Sequence, residues 1–209
     1  MTEGKEGRIS PRYTSNSKTL AEQETDPSWE QIFGAEEIAG YVEKLAGDIL
    51  AGCPEDRQLA LVGIHSSGVE LSRRIGEHIK ERGGSPVMGS LDISLYRDDL
   101  DHLVQVPSLK STDLPFTVEG AHIILVDDVL FTGRTVRAAI EGIMDYGRPA
   151  RIALAVLVDR GNRELPIAAD HVGMTCETAV QDHVKVFVIG HEDDTEDAVY
   201  LVRNQGGNA

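Results

Sequence analysis

Asp127 and Asp128 close the apolar run Ile123-Ile124-Leu125-Val126 and lead into Val129-Leu130-Phe131-Thr132-Gly133-Arg134-Thr135. The run has the length and side chains of a buried strand, the carboxylates fall at its carboxyl end, and Thr-Gly-Arg-Thr reads as the turn that opens a helix. In an open parallel sheet, ligands bind beyond the carboxyl ends of the strands. A helix N-terminus there offers a phosphate its unpaired N–H groups and the positive end of its dipole. Gly133 lets the backbone approach closely, and the hydroxyls of Thr132 and Thr135 can donate to phosphate oxygens. Carboxylates accept hydrogen bonds from vicinal hydroxyls, so a carboxylate pair beside a phosphate cradle suits a sugar, and the predicted ligand is a ribose 5-phosphate. An Asp-Asp pair at a strand end is often only a turn and a helix cap; the full string from 123 to 135 is far more specific. Neither a Walker A pattern nor a Rossmann G-x-G-x-x-G is present, which disfavours the nucleotide-binding alternatives.

The elements that must hold this string follow from periodicity. Ile38, Tyr41, Val42, Leu45 and Ile49 recur at helical spacing up to Gly52 and Pro54. Residues 58–64 form a short apolar strand that runs into Gly63-Ile64-His65-Ser66-Ser67-Gly68, and Val69, Leu71, Ile75 and Ile79 mark the next helix. Residues 86–96 alternate, with Leu91, Ile93 and Leu95 on one face, as a strand should. Residues 97–120 are too polar and Pro-broken for the core and have the length of an active-site flap. A strand over 122–126, a helix over 135–146 and a buried strand over 151–158 follow, then shorter strands at 171–172, 184–189 and 198–202. Strands alternating with helices imply an α/β fold, an open, mainly parallel sheet with helices on both faces.

The chain has 209 residues, enough for one domain, and residues 1–30 are polar without apolar periodicity, so the expected division is a disordered extension over 1–30 and a folded domain over 31–209. Twenty Lys+Arg against 35 Asp+Glu give a net charge of -15, which opposes nonspecific attraction to polyphosphates or anionic membranes. No apolar stretch is long enough to span a membrane and no signal peptide is legible, so a cytoplasmic protein is expected. Cys53 and Cys176 fit neither a disulfide framework nor a zinc ligand set, and no metal is expected to be held by the protein alone.

The string from 123 to 135 resembles the binding motif for phosphoribosyl pyrophosphate (PRPP) of the type I phosphoribosyltransferases. Together with LDISLYRDDL (91–100) and GRPARIALAVLVDRGNRELPIAADHVG (147–173), it is similar to the bifunctional pyrimidine operon attenuator and uracil phosphoribosyltransferase family, PyrR, over roughly residues 34–203. The resemblance implies a type I phosphoribosyltransferase fold with a long flexible flap and a small hood. It also implies conversion of PRPP and uracil to UMP and diphosphate with Mg²⁺, and binding of pyrimidine leader RNA that depends on UMP or UTP. A homodimer or higher homo-oligomer is implied as well. Carried over by residue, Asp127 and Asp128 hold the ribose, directly or through Mg²⁺, and Val129, Leu130, Phe131, Thr132, Gly133, Arg134 and Thr135 form the 5-phosphate loop. Arg97 reaches the diphosphate from the flap, Arg160 lies at the base end, and the backbone near Val184 closes the uracil pocket.

Two departures stand out against that pattern. Ser66-Ser67 occupies the diphosphate loop where the family usually has Thr-Arg, and exchanging a charged fork for a hydroxyl weakens diphosphate binding by on the order of 1.5–3 kcal/mol. The stretches that supply basic residues for RNA in the family retain only Lys44 here, leaving Arg148, Arg160 and Arg163 as a small candidate cluster. A regulator that senses nucleotide in the same pocket, and a paralogue that kept ligand binding but lost efficient turnover, are the alternative readings. Replacing Ser67→Arg should restore a charge-assisted donor and raise PRPP-dependent turnover. A folded variant no more active than the parent would mean that the loop is misaligned or that His65, Arg73 or Arg74 already supplies the charge.

Overall fold

The computed structural model describes residues 28–54, 56–96, 111–191 and 194–204. Along the strand His122–Leu130 (β4), Ile124 and Val126 face one side and Ile123 and Leu125 the other, and all four are buried. A strand apolar on both faces needs a cover on each. Ala35–Gly52 (α1) and Ser67–Glu81 (α2) supply one cover through Ile38, Val42, Leu45, Leu71 and Ile75; Arg134–Met144 (α3) supplies the other through Val136, Ala139 and Ile143. Leu59–Ile64 (β2), Val87–Leu91 (β3), Arg151–Asp159 (β5) and His171–Thr175 (β6) complete a five-stranded sheet in the order β3-β2-β4-β5-β6, every neighbouring pair parallel. This is the open parallel sheet with helices on both faces that periodicity implied.

The remaining strands build a separate hood. Trp29–Phe33 (β1), His183–Phe187 (β7) and Ala198–Val202 (β8) form a three-stranded antiparallel sheet in the order β1-β8-β7. Tyr200 anchors it, its ring edge-on to Trp29 at 5.7 Å and to Phe187 at 5.8 Å between centroids. Trp29 and Glu30, assigned above to the extension, thus belong to a strand whose partner lies at the far end of the chain. No local periodicity reports such a pairing. No helix of the described residues is long and apolar enough to cross a membrane.

Two further expectations need correction. The strand predicted over 86–96 ends at Leu91, because the Asp92 carboxylate accepts the N–H of Ser94 at 2.8 Å and its hydroxyl at 2.6 Å, a local turn that competes with the ladder. Ile93 is still buried, but Leu95 is 68% exposed. Of the segment read as a flap, 97–110 lies outside the described residues, and the part from 111 onward packs on the domain. Ser90 and Asp113 exchange two backbone hydrogen bonds, Leu114 and Phe116 pack on the α3-side core, and Val118 is buried.

The start of α2 lies unusually close to β4. A Cβ on Gly68 would stand 2.4 Å from the Val126 carbonyl oxygen, a backbone atom that has no room to retreat. Gly68→Ala should therefore push α2 off the sheet and destabilise the domain by about 1–3 kcal/mol. Gly40→Ala, on an open face of α1 with nothing within 4 Å, should be neutral or stabilising by up to about 1 kcal/mol. Thermal denaturation of the pair tests the close approach, and equal midpoints would refute it.

Candidate active site

The strand order reverses between β2 and β4: the chain leaves β2 for β3 on one side and continues from β4 to β5 and β6 on the other. Such a switch point is where an open sheet leaves a crevice beyond its strand ends. The crevice opens because β4 outruns β2. Their ladder ends at Gly63↔Val126, whereas β4 stays paired with β5 as far as Leu130↔Asp159. A cavity of about 350 Å³ fills the gap. The loop after β2 lines it with His65, Ser66 and Ser67, and the His65–Ser66 peptide is cis. The opposite wall is Asp127, Asp128, Val129 and Thr135, and Asp92 and Ser94 enter from the turn after β3.

Asp127 lies within β4, buried and paired across from Val156, rather than beyond the strand's end. Its Oδ1 accepts the Asp128 N–H at 3.0 Å, and an Asp128 carboxylate oxygen accepts the Val129 N–H at 2.7 Å. Among the described residues neither carboxylate has a cationic partner. Burial, and after it the charge of Asp128, push the Asp127 carboxyl well above the ordinary carboxylate range. Arg73 and Arg74, the other cations considered for the diphosphate loop, are engaged elsewhere. Arg73 pairs with Glu70 and Glu77; Arg74 bonds Glu70, both carboxylate oxygens of Asp197 and the Ile189 carbonyl, tying α2 to the hood. His65 stays at the cavity, its Nε2 3.3 Å from the Ser111 carbonyl oxygen.

The predicted 5-phosphate loop divides along its length. Val129 and Thr135 line the cavity, while Leu130 is a buried core residue. Thr132 accepts the Arg134 N–H on its hydroxyl at 3.3 Å, and Gly133 takes up φ 91°, which favours glycine. Gly133 gives α3 no side-chain cap, so beyond the Arg134 N–H the first-turn amides stay open to a ligand. Arg134 is exposed and pairs with Glu164.

Arg160 and Val184 are not brought to the cavity. Arg160 is buried, 4.0 Å over the Phe131 ring, and donates to the Thr178 hydroxyl and the Ala179 carbonyl. Val184 sits half-buried in β7 against the core on the α1 and α2 side. Arg97 lies outside the described residues. Asp92 and Ser94 were missed as site residues, since reading 86–96 as one alternating strand hid the turn that aims them inward.

Comparison with known proteins agrees with this geometry. A family model described as a phosphoribosyl transferase domain matches residues 28–195. "Bifunctional protein PyrR" of Elusimicrobium minutum is 48% identical over 82% of this chain and 95% of its own length. Proteins of the same name from Akkermansia muciniphila and Thermus aquaticus are 46% and 47% identical, covering 85% and 84% of this chain and 98% and 97% of their own. This chain belongs to the PyrR family. The fold is shared more widely: a hypoxanthine phosphoribosyltransferase of Trypanosoma cruzi superposes with a TM-score of 0.62 at 21% identity, covering 83% of this chain and 96% of that one. Within this PyrR chain, the type I phosphoribosyltransferase architecture places the carboxylate pair and the α3 terminus on one wall of a single cavity.

The raised Asp127 carboxyl has a signed consequence. Its folded-state value lies above the unfolded one, so folding favours the protonated form. Stability is therefore lost as pH rises from about 4 through the folded value, and the loss is complete above it. Asp127→Asn keeps the acceptor for the Asp128 N–H and removes the buried charge. The variant should melt a few degrees higher than the parent at pH 8, with the difference shrinking towards pH 4, while its affinity for PRPP falls at least tenfold. A lower melting temperature at every pH would overturn this account of the pair.

Proposed function

We propose that this chain transfers the ribose 5-phosphate of PRPP to uracil, giving UMP and diphosphate, and that uridine nucleotide in the same site governs a contact with pyrimidine leader RNA. One observation carries the catalytic part: a carboxylate pair and an uncapped helix start face a serine turn across one cavity at the sheet's switch point. Uracil as the base follows from membership of the PyrR family. Asp127 and Asp128 take the ribose hydroxyls, and the turn from Phe131 to Thr135 takes the 5-phosphate. Ser66, Ser67 and the first amides of α2 receive the diphosphate, with Arg97 completing the site from the flap. As diphosphate leaves the anomeric carbon the ribose gains oxocarbenium character, and the two carboxylates beside the ring stabilise that positive charge.

Mg²⁺ suits this site as a ligand-borne ion. No cluster of three or more His, Cys, Asp or Glu among the described residues could hold a metal, so Asp127 and Asp128 would supplement the oxygens of PRPP. Magnesium is ordinarily held in that way, by one or two carboxylates plus substrate phosphates. Bound there, it would offset the charge of the departing diphosphate.

The RNA contact rests on a thinner surface than the candidate cluster suggested. Arg160 is buried, Arg163 is bonded to four backbone carbonyls and Asp159, and Lys44 bonds Asp48 and the Val172 carbonyl. Self-association belongs to the same proposal; in its favour, exposed Leu95 adjoins Tyr96, whose hydroxyl bonds Asp145 between exposed Met144 and Tyr146.

Steady-state release of diphosphate should require both PRPP and uracil, and release with another base but not uracil would reject the substrate. In a parallel gel shift with pyrimidine leader RNA, log affinity should fall with log salt on a slope of about four or less, at roughly 0.7–0.9 per phosphate neutralised. A steep slope stimulated by uridine nucleotide would overturn this reading and show that cations read as scattered, such as Arg73, Arg74 and Arg82, assemble into a basic face.

A further inference from the structure

The turn that faces the 5-phosphate is held from behind by the segment after β5. The Leu130 carbonyl accepts the Arg160 N–H at 3.1 Å, and the Thr132 carbonyl accepts the N–H groups of Glu164 at 3.0 Å and Leu165 at 3.1 Å. Between them, the Phe131 carbonyl is taken by a side chain, Arg163 Nη1, at 2.8 Å. The same guanidinium reaches the Gly161 carbonyl at 2.9 Å through Nη1 and the Ile167 carbonyl at 3.0 Å through Nε, and its Nη2 pairs with Asp159. Each of the three nitrogens of the fork therefore has a partner within the protein.

A trans peptide is planar, with its C=O and N–H pointing in opposite directions. Holding the carbonyls of Leu130, Phe131 and Thr132 on the side of residues 160–165 therefore turns the N–H groups of Phe131, Thr132 and Gly133 to the other side. Among the described residues no acceptor takes the Thr132 N–H. We propose that Arg163 is a positioning residue for the 5-phosphate: by fixing the Phe131 carbonyl it presents the Thr132 amide to the ligand. The inference rests on the reading of this turn as the phosphate site. It assigns the arginine to the geometry of that site rather than to an RNA contact.

A fork is needed because one group must bond carbonyls in different directions while keeping Asp159; an ammonium supplies the charge without the planar geometry. Arg163→Lys thus separates position from charge. Calorimetric titrations of the full chain with UMP and with uridine give the share of affinity that the 5-phosphate contributes. In the parent UMP should bind much more tightly. In Arg163→Lys the UMP-to-uridine ratio should fall at least tenfold while uridine affinity stays within twofold, and Asp159→Asn, which loosens the fork without removing it, should shift the ratio in the same direction.

A general structural role would weaken both ligands together and lower the melting temperature, leaving the ratio unchanged, and that result overturns the proposal. A ratio retained by Arg163→Lys but lost in Arg163→Gln would assign the effect to charge and overturn it as well. A parent that does not distinguish UMP from uridine would remove the phosphate-site reading itself, an outcome separate from either. Should the Lys variant fail to fold, Asp159→Asn decides alone, and an unchanged ratio there counts against the proposal.

Discussion

The active-site geometry depends on β4 continuing past the end of its neighbour without leaving its backbone unsatisfied. A strand that loses one partner exposes a row of amides and carbonyls, which are expensive to bury unpaired. Here β5 keeps pairing as far as Leu130↔Asp159 on one side, and the start of α2 presses against Val126 on the other, with no room for a side chain at Gly68. Beyond Leu130 the segment after β5 takes over, accepting the task carbonyl by carbonyl up to Thr132. The cavity is what remains where none of these supports reaches.

Among the described residues that line that space there is no arginine or lysine. Asp92, Asp127 and Asp128 line the cavity, while Arg73 and Arg74 are committed to other carboxylates. A site of this kind does not hold anions well by itself; it holds them through cations that arrive with the ligand or from a covering segment. The Ser66-Ser67 turn makes this dependence greater, because hydroxyls and amides replace a permanent charge where the diphosphate would rest.

The central layers were legible because their signal is local. Alternating burial along β4 and β5 and the helical stripes of α1 and α2 each declare themselves within a dozen residues, and the string from 123 to 135 carried the site. What was not legible depended on contacts distant in sequence. Trp29–Phe33 becomes a strand only through pairing with Ala198–Val202. The residues from 111 to 118 look too polar for the core until β3 offers them an edge. Arg160 was expected at the base end of the site, and both Arg160 and Arg163 in a cluster available to RNA. In the fold one is stacked on Phe131 and the other bonds a run of carbonyls.

The hood's strand order also bears on how the molecule is made. Synthesis completes the parallel sheet when Thr175 has emerged, but β8 lies between β1 and β7 and follows twenty-seven residues later. At ordinary elongation rates that interval is roughly 1–5 s, during which Trp29 and Phe187 have no Tyr200 to pack against. A nascent chain therefore passes through a stage in which Asp127 and Asp128 already stand on a finished strand while β1 and β7 still wait for the strand that pairs with both.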